Sequence, residues 1–485
     1  MTDGRRIGIV LGTLAALLVA GCSGGAAGGG DSSIPADGID RSGITIAQGP
    51  ISGFGSVIVN GVRYSTSGAT VTIDDQPGTE SDLKVGQVVR IEATLDAGGT
   101  TGVAKKIAFD DDVEGPLQTI DRAASRLVVL GQTVQLSAAT SFGDSIVPRG
   151  IDGLRIGDRL EVSGLASAGG VIAATRIERK SVVAGLEVKG VAAQVDTAAR
   201  RLSVSQLRVD YSAAQVSGFT GGQPVNGDLI EATGALNASG VLVATRLERR
   251  SSSLPGTTND KAELEGLVTR FASATDFDVA GQRVTTTGST QYEDGTAASI
   301  ALNAAVEVAG AFDASGRIVA QKIEFRRESD LELTGRVDSV NAAGNTLTVL
   351  GQPVRTTAQT RFEDKSSADL QRFSLADLRV GDSVEVRGYR EGGVLVASLL
   401  EREDTAGGAG GGTVEVKGPA TAVAAPSFTV AGVRVTTDSR TEFRDKSGVS
   451  ITAAAFFAAA PGREVKARGS LVGNTVLAER AELDD

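Results

Sequence analysis

One phrase, Ala-x-x-(Ile/Leu)-Glu or a near relative, recurs six times in this chain, opening at Ala104, Ala174, Ala244, Ala320, Ala397 and Ala478. The intervals are 70, 70, 76, 77 and 81 residues, too regular for chance. Self-similarity at such a period marks small units repeated along one chain. The 485 residues would otherwise suggest about three domains. They divide instead into six copies, at residues 46–110, 113–181, 186–250, 263–327, 331–403 and 413–485, with flexible linkers expected at 251–262 and 404–412. Each copy is near the lower size limit for a domain with its own core. Aromatic residues are only 4% of the chain and Trp is absent, so the cores must come from Val, Leu, Ile and Ala.

Four segments recur in each copy. The first alternates apolar and polar residues, as in Leu331-Glu332-Leu333-Thr334-Gly335-Arg336-Val337, the pattern of a strand with one buried face. A hairpin follows, as in Val57-Ile58-Val59-Asn60-Gly61-Val62, where Asn-Gly is the strongest signal for a two-residue turn. Copy three has Ser205-Gln206 there, so a different turn is expected. The third segment ends near Phe-x-Asp, as in Phe362-Glu363-Asp364. A variable stretch comes next, read as a short helix at residues 368–378 of copy five (Leu370, Phe373 and Leu378 at helical spacing) and at 453–460 of copy six.

The fourth segment is a glycine turn and two closing strands, as in Gly381-Asp382-Ser383-Val384-Glu385-Val386-Arg387-Gly388. Its leading glycine recurs at Gly86, Gly157, Gly227 and Gly462, with Asn303 in copy four. Asn is the next most tolerant residue of left-handed backbone, so these positions read as structural turns. The predicted fold is all-β, a tandem array of about six small OB-like β-barrel repeats, some with a short helix. A half-open β-roll is the alternative.

At the N-terminus, Arg5 and Arg6 precede an apolar run over residues 7–20, followed by Val19-Ala20-Gly21-Cys22. That is the layout of a secretory signal. The run is shorter than the roughly 20 residues a membrane span takes. Val19, Ala20 and Gly21 before Cys22 resemble the bacterial lipoprotein lipobox. The resemblance implies a signal peptide at 1–21, cleavage before a diacylated Cys22, and often a further acyl chain on the new N-terminus. Two or three chains anchor a protein stably where one does not. Residues 22–45 read as a Gly/Ala/Ser-rich disordered tether. Ser23 after the cysteine resembles the outer-membrane sorting signal of enteric bacteria, so the expected location is the cell envelope, on the outer membrane facing the periplasm.

The Gly-Asp-x-Val-Glu-Val-x-Gly string near Gly381, the Val-x-Ala-x-x-Ile-Glu strand and the Phe-x-Asp step make residues 48–485 similar to bacterial envelope proteins carrying a repeat catalogued as domain of unknown function 5666. The resemblance implies architecture and location, and no activity.

Composition narrows function further. A net charge of −11 excludes the basic stripe that nucleic acid requires. No His is present and Cys22 is the only cysteine, which removes the commonest general base and the commonest transition-metal ligands. Neither a catalytic residue, a cofactor nor a metal site is expected; carboxylate runs such as Asp110-Asp111-Asp112 and Glu363-Asp364 read as solvated turns, and chelators should leave the chain unchanged. Arg176-Ile177-Glu178-Arg179-Lys180 and Arg246-Leu247-Glu248-Arg249-Arg250 read as wet strand edges that resist aggregation. The expected role is an extended structural or protein-binding scaffold, with copies one to three and four to five as semi-rigid rods and copy six separate. Its partners are the membrane, through lipid on Cys22, and envelope proteins. A solute- or polymer-binding lipoprotein is the alternative, and an envelope enzyme the least favoured.

Overall fold

In the computed structural model, residues 43–181, 185–404 and 413–484 are described. Copy five shows the plan. Its first strand, Leu331–Asn341, buries Leu331, Leu333, Gly335 and Val337 and turns the residues alternating with them outward. Strands Thr346–Val349 and Gln352–Arg355 form the hairpin, whose turn residues Leu350 and Gly351 have φ of 52° and 71°. Short strand Arg361–Lys365 follows, then the closing strands Ser383–Glu391 and Val394–Glu403. The first strand pairs antiparallel with the hairpin and with Ser383–Glu391. The last strand pairs antiparallel with Ser383–Glu391 and parallel with Gln352–Arg355 and Arg361–Lys365. With the hairpin as strands two and three and the closing strands as four and five, the ladder closes in the order 1-2-3-5-4-1, a small OB-like barrel, and short Arg361–Lys365 lies beside the fifth strand. The other five copies repeat this path, so the chain is an all-β array of barrels.

Two local expectations part company. Copy six has its helix, Ala453–Ala459, capped by the Thr452 side chain and seating Phe456 against Phe428 and Phe443. Residues 368–378 of copy five hold no α-helix, only a 3-10 turn at Leu375–Asp377. Here the Asp364 carboxylate accepts hydrogen bonds from the backbone N–H groups of Ser366 and Leu370, and Asp377 accepts from that of Ser374. Side chains that capture backbone donors favour turns over helix. Phe373, Leu375 and Leu378 still bury.

The grouping of copies differs more. The hairpin pairs only with the C-terminal half of each first strand, while the N-terminal half presents one unpaired edge. Another copy covers it. The first strand of copy one, Gly43–Gly53, runs parallel to that of copy four, Lys261–Ser273, from Thr45↔Lys261 to Gln48↔Leu264. Copies two and three join antiparallel at Val113↔Val188, and five and six at Leu333↔Val416. The copies therefore pair one with four, two with three and five with six, in place of the expected rods, and copy six shares a continuous apolar core with copy five. The expected linker at 251–262 is docked: Leu254 is buried and its N–H donates to the Gln282 side chain. Of the linker at 404–412, residues 405–412 lie outside the described residues.

The last glycine of the motif has its own cause. The register slips between Arg387 and Gly388, and a Cβ at Gly388 would press on the Val396 carbonyl oxygen. The same slip precedes Gly164, Gly234, Gly310 and Gly469. A bulge bends the fourth strand around the barrel there. Gly381, by contrast, has φ of 94° with nothing within 4 Å of an added Cβ. Gly381→Ala should cost about 1 kcal/mol from backbone strain alone, and Gly388→Ala about 2–3 kcal/mol from overpacking against main chain. Scanning calorimetry of the two variants checks this order; equal costs would refute the close-approach argument.

Candidate functional site

Val19, Ala20, Gly21 and Cys22 lie outside the described residues. Gly86, Gly157, Gly227, Gly381 and Gly462 have φ of 86°, 93°, 94°, 94° and 77°, and Asn303 has 67°. In each copy the backbone N–H of this residue donates to a carbonyl at or next to the first strand, as from Gly381 to Val337 and from Gly157 to Leu117. The residue thus latches the fourth strand to the first. These turns belong to six separate barrels. Two shallow apolar grooves stand out, of about 410 Å³ beside Val340 and Pro353 and about 470 Å³ beside Pro426 and Phe457. Each belongs to a single copy.

The polar residues that recur line the closing strands of the barrels, and some of their cations also reach a neighbouring copy. The motif glutamate of the fourth strand faces the Ala-x-x-Ile-Glu glutamate of the last strand directly: Glu161↔Glu178, Glu231↔Glu248, Glu307↔Glu324 and Glu385↔Glu401. Like charges in register repel, so each row needs a cation. In copy four Arg326 reaches Glu265, Glu307 and Glu324. In copy three Arg250 bridges Glu231 and, from copy one, Asp75, at 2.7 Å each. In copy five Arg387 pairs with Glu385 and lies 3.7 Å from both Glu332 and Glu401.

Copies two and five meet through buried charge. Arg176, expected on a wet edge, is only 3% exposed. Its guanidinium holds Glu363 of copy five at 2.7 Å and donates to the Val85 carbonyl of copy one at 2.8 Å. Arg361 donates to the Thr175 carbonyl and Arg387 to the Thr140 carbonyl, while Arg149 pairs with Glu403. Glu363 and Asp364 are likewise buried, Asp364 on Arg402, and are not solvated turn residues. Alternation marks a polar face but does not say whether another copy covers it. Burial works against the Glu363 carboxylate, yet Arg176 and Lys365 outweigh it and bring its pKa down to about 2.

A different cluster sits where copy one meets copy two. Asp74 lies in the turn after strand Thr70–Ile73, Asp111 in the connector and Glu161 on the fourth strand of copy two, with one carboxylate oxygen of each within 4.8 Å of the others. Asp111 is 1% exposed, far from a solvated turn residue, and its Oδ1 has no hydrogen-bond donor. Burial, then Glu187, Asp74 and Glu161, push the Asp111 carboxyl well up. Burial, with Glu161 and Asp110, pushes Asp74 up to about 6 against the Asp111 N–H it accepts. Asp74 carried no signal in the sequence beyond a turn. Glu161 did, through its recurrence opposite a second recurring glutamate.

The family model described as domain of unknown function (DUF5666) matches residues 45–108, 114–178, 189–248, 265–324, 334–401 and 417–482. No curated protein matches the chain.

The Arg176–Glu363 pair carries a pH signature. A carboxyl whose pKa falls on folding adds stability above its unfolded value, near 4.5, and loses that contribution as pH drops through its folded value. Glu363→Gln leaves Arg176 with Glu178 as its only carboxylate and takes that of Glu363 from Lys365, and should cost about 1–3 kcal/mol at pH 7. Urea titrations from pH 7 to pH 2 should show the gap to wild type closing below pH 4.5; a gap constant with pH would refute the pairing.

Proposed function

Because the chain belongs to the DUF5666 family, whose description assigns no activity, we propose that it is a cell-envelope lipoprotein whose six barrels serve as a structural or protein-binding scaffold. The signal segment is cut before Cys22, acyl chains on Cys22 hold the protein to the membrane, and residues 23–42 tether the array, since 43–45 belong to the opening strand of copy one. Ser23 favours the outer membrane, with the array facing the periplasm. No described helix is long and apolar enough to cross a membrane.

One observation carries the scaffold reading. The polar residues that recur from copy to copy, the glutamate rows and their arginines, are spent on closing barrels and joining them. In a repeat built to hold a solute, recurring polar groups would converge on an open concave site. Recurrence at joints instead supports an assembly whose product is its own surface, available to other envelope proteins.

Cys22→Ser tests the anchor. Wild type should incorporate labelled palmitate and partition into a detergent phase, whereas the variant should accumulate uncut or stay in the aqueous phase. Equal partitioning would overturn the lipid anchor. Crosslinking in intact cells and purification of the wild type should then recover envelope proteins that the detached variant loses.

A further inference from the structure

We infer that the carboxylates of Asp74, Asp111 and Glu161 form a binding site for a hard divalent cation, calcium fitting best, which ties copy one to copy two. The three oxygens lie within 4.8 Å of one another. Calcium sits about 2.3–2.6 Å from each ligand oxygen, so oxygens on opposite sides of the ion stand at most about 5 Å apart. Three carboxylates are also the hard, anionic ligands that calcium selects and softer metals do not require.

The other joints supply the comparison that makes this cluster unusual. Two residues beyond the row glutamate of the last strand, copies three and four carry Arg250 and Arg326, and copy two carries Lys180. Arg250 spans Glu231 and Asp75, and Arg326 spans three carboxylates. A planar guanidinium can bridge several acceptors where an ammonium is a point charge. Lys180 makes its ion pair with Glu161 and acts on Asp74 and Asp111 only at longer range. The other nearby cation, Lys189, points its ammonium at the Asp110 and Asp111 carbonyls, at 3.1 and 2.9 Å, and at the Asp112 carboxylate at 3.0 Å. The carboxylates of Asp74 and Asp111 therefore face Glu161 with two ammoniums nearby but neither forming an ion pair to them.

The second, independent sign is the state of Asp111. Its side chain is buried and Oδ1 accepts no hydrogen bond, an arrangement that costs several kcal/mol for a charged oxygen unless a counter-ion supplies the missing partner. A cation here would pin three segments that otherwise meet through single hydrogen bonds such as Asp111 N–H to Asp74 and Gly164 N–H to Asp112: the copy-one turn, the connector and the copy-two strand.

The test uses the full chain, stripped with EDTA and dialysed, with calcium chloride as the probe. Calorimetric titration should show one saturable calcium site in wild type, and calcium should raise the temperature of its first thermal transition. Asp111→Asn, close to isosteric, should lose both the binding and the calcium-induced shift, and in EDTA should melt no lower than wild type because one crowded charge is gone. Glu161→Gln provides a second reading should Asp111→Asn fail to fold. Absence of saturable calcium binding in wild type would overturn the inference. So would wild-type affinity in the variant that folds, since the ion would then be held elsewhere on this acidic surface.

Discussion

The second strand of each barrel is too short for the first. In copy five a four-residue hairpin strand faces an eleven-residue opening strand, so half of one edge of the opening strand keeps its N–H and C=O groups unpaired. An exposed edge of this kind is a template for indiscriminate pairing. Here each opening strand is completed by that of another copy, parallel for copies one and four, antiparallel for the two other pairs. Six copies make three such pairs and leave no opening strand uncovered. Much of the remaining architecture follows from that requirement: copies must come together in twos, and the faces beside the paired strands must be buried.

Burying those faces is what turns ordinary strand-face glutamates into buried charge. Main-chain pairing is indifferent to sequence, so it does not say which copy should meet which. The charged joints do. Arg176 of copy two finds Glu363 of copy five in a buried pair, and the more exposed Asp75 of copy one finds Arg250 of copy three at lower cost if broken. Buried ion pairs add little net stability over apolar packing, but removing one partner is costly. A wrong pairing of copies strands such a partner, so these residues act as address labels on otherwise similar barrels.

Local features were legible in the sequence and joints were not. The alternation of Leu331, Leu333 and Val337, the Leu350-Gly351 turn and the copy-six helix are set by neighbours a few residues away. Residues 368–378 misled because Leu370, Phe373 and Leu378 have helical spacing, while the Asp364 carboxylate, which captures the backbone before a helix can start, lies six residues upstream of Leu370. The joints depend on pairings such as Arg176 with Glu363, far apart in the chain, and period-2 alternation reads the same on a wet face and a covered one. One signal was available. Glu161 and Glu178 recur together in four copies on neighbouring strands, and a repeated like-charge pair in register requires either a cation or a joint.

Asn60 shows how far copies descended from one plan have become unlike. Its backbone, with φ of 52°, makes the hairpin turn shared by five copies, the turn of copy three differing at Gln206 as its sequence predicts. Its side-chain amide does something the corresponding Leu130, Ala280, Leu350 and Ala431 cannot, donating at 3.1 Å both to the Gln48 carbonyl and to the Glu263 carbonyl of copy four. The residue favoured for a left-handed turn thereby also fastens one barrel to another three copies away. Copy one lacks the glutamate row, with Arg90 opposite Ala108, and takes its partner by this amide and by strand pairing. The copies are thus fixed in order, each adapted to particular neighbours. An array of interchangeable beads could lose an internal copy and close up, whereas loss of copy four would open the Thr45–Gln48 edge and leave the Asn60 amide without half of its partners.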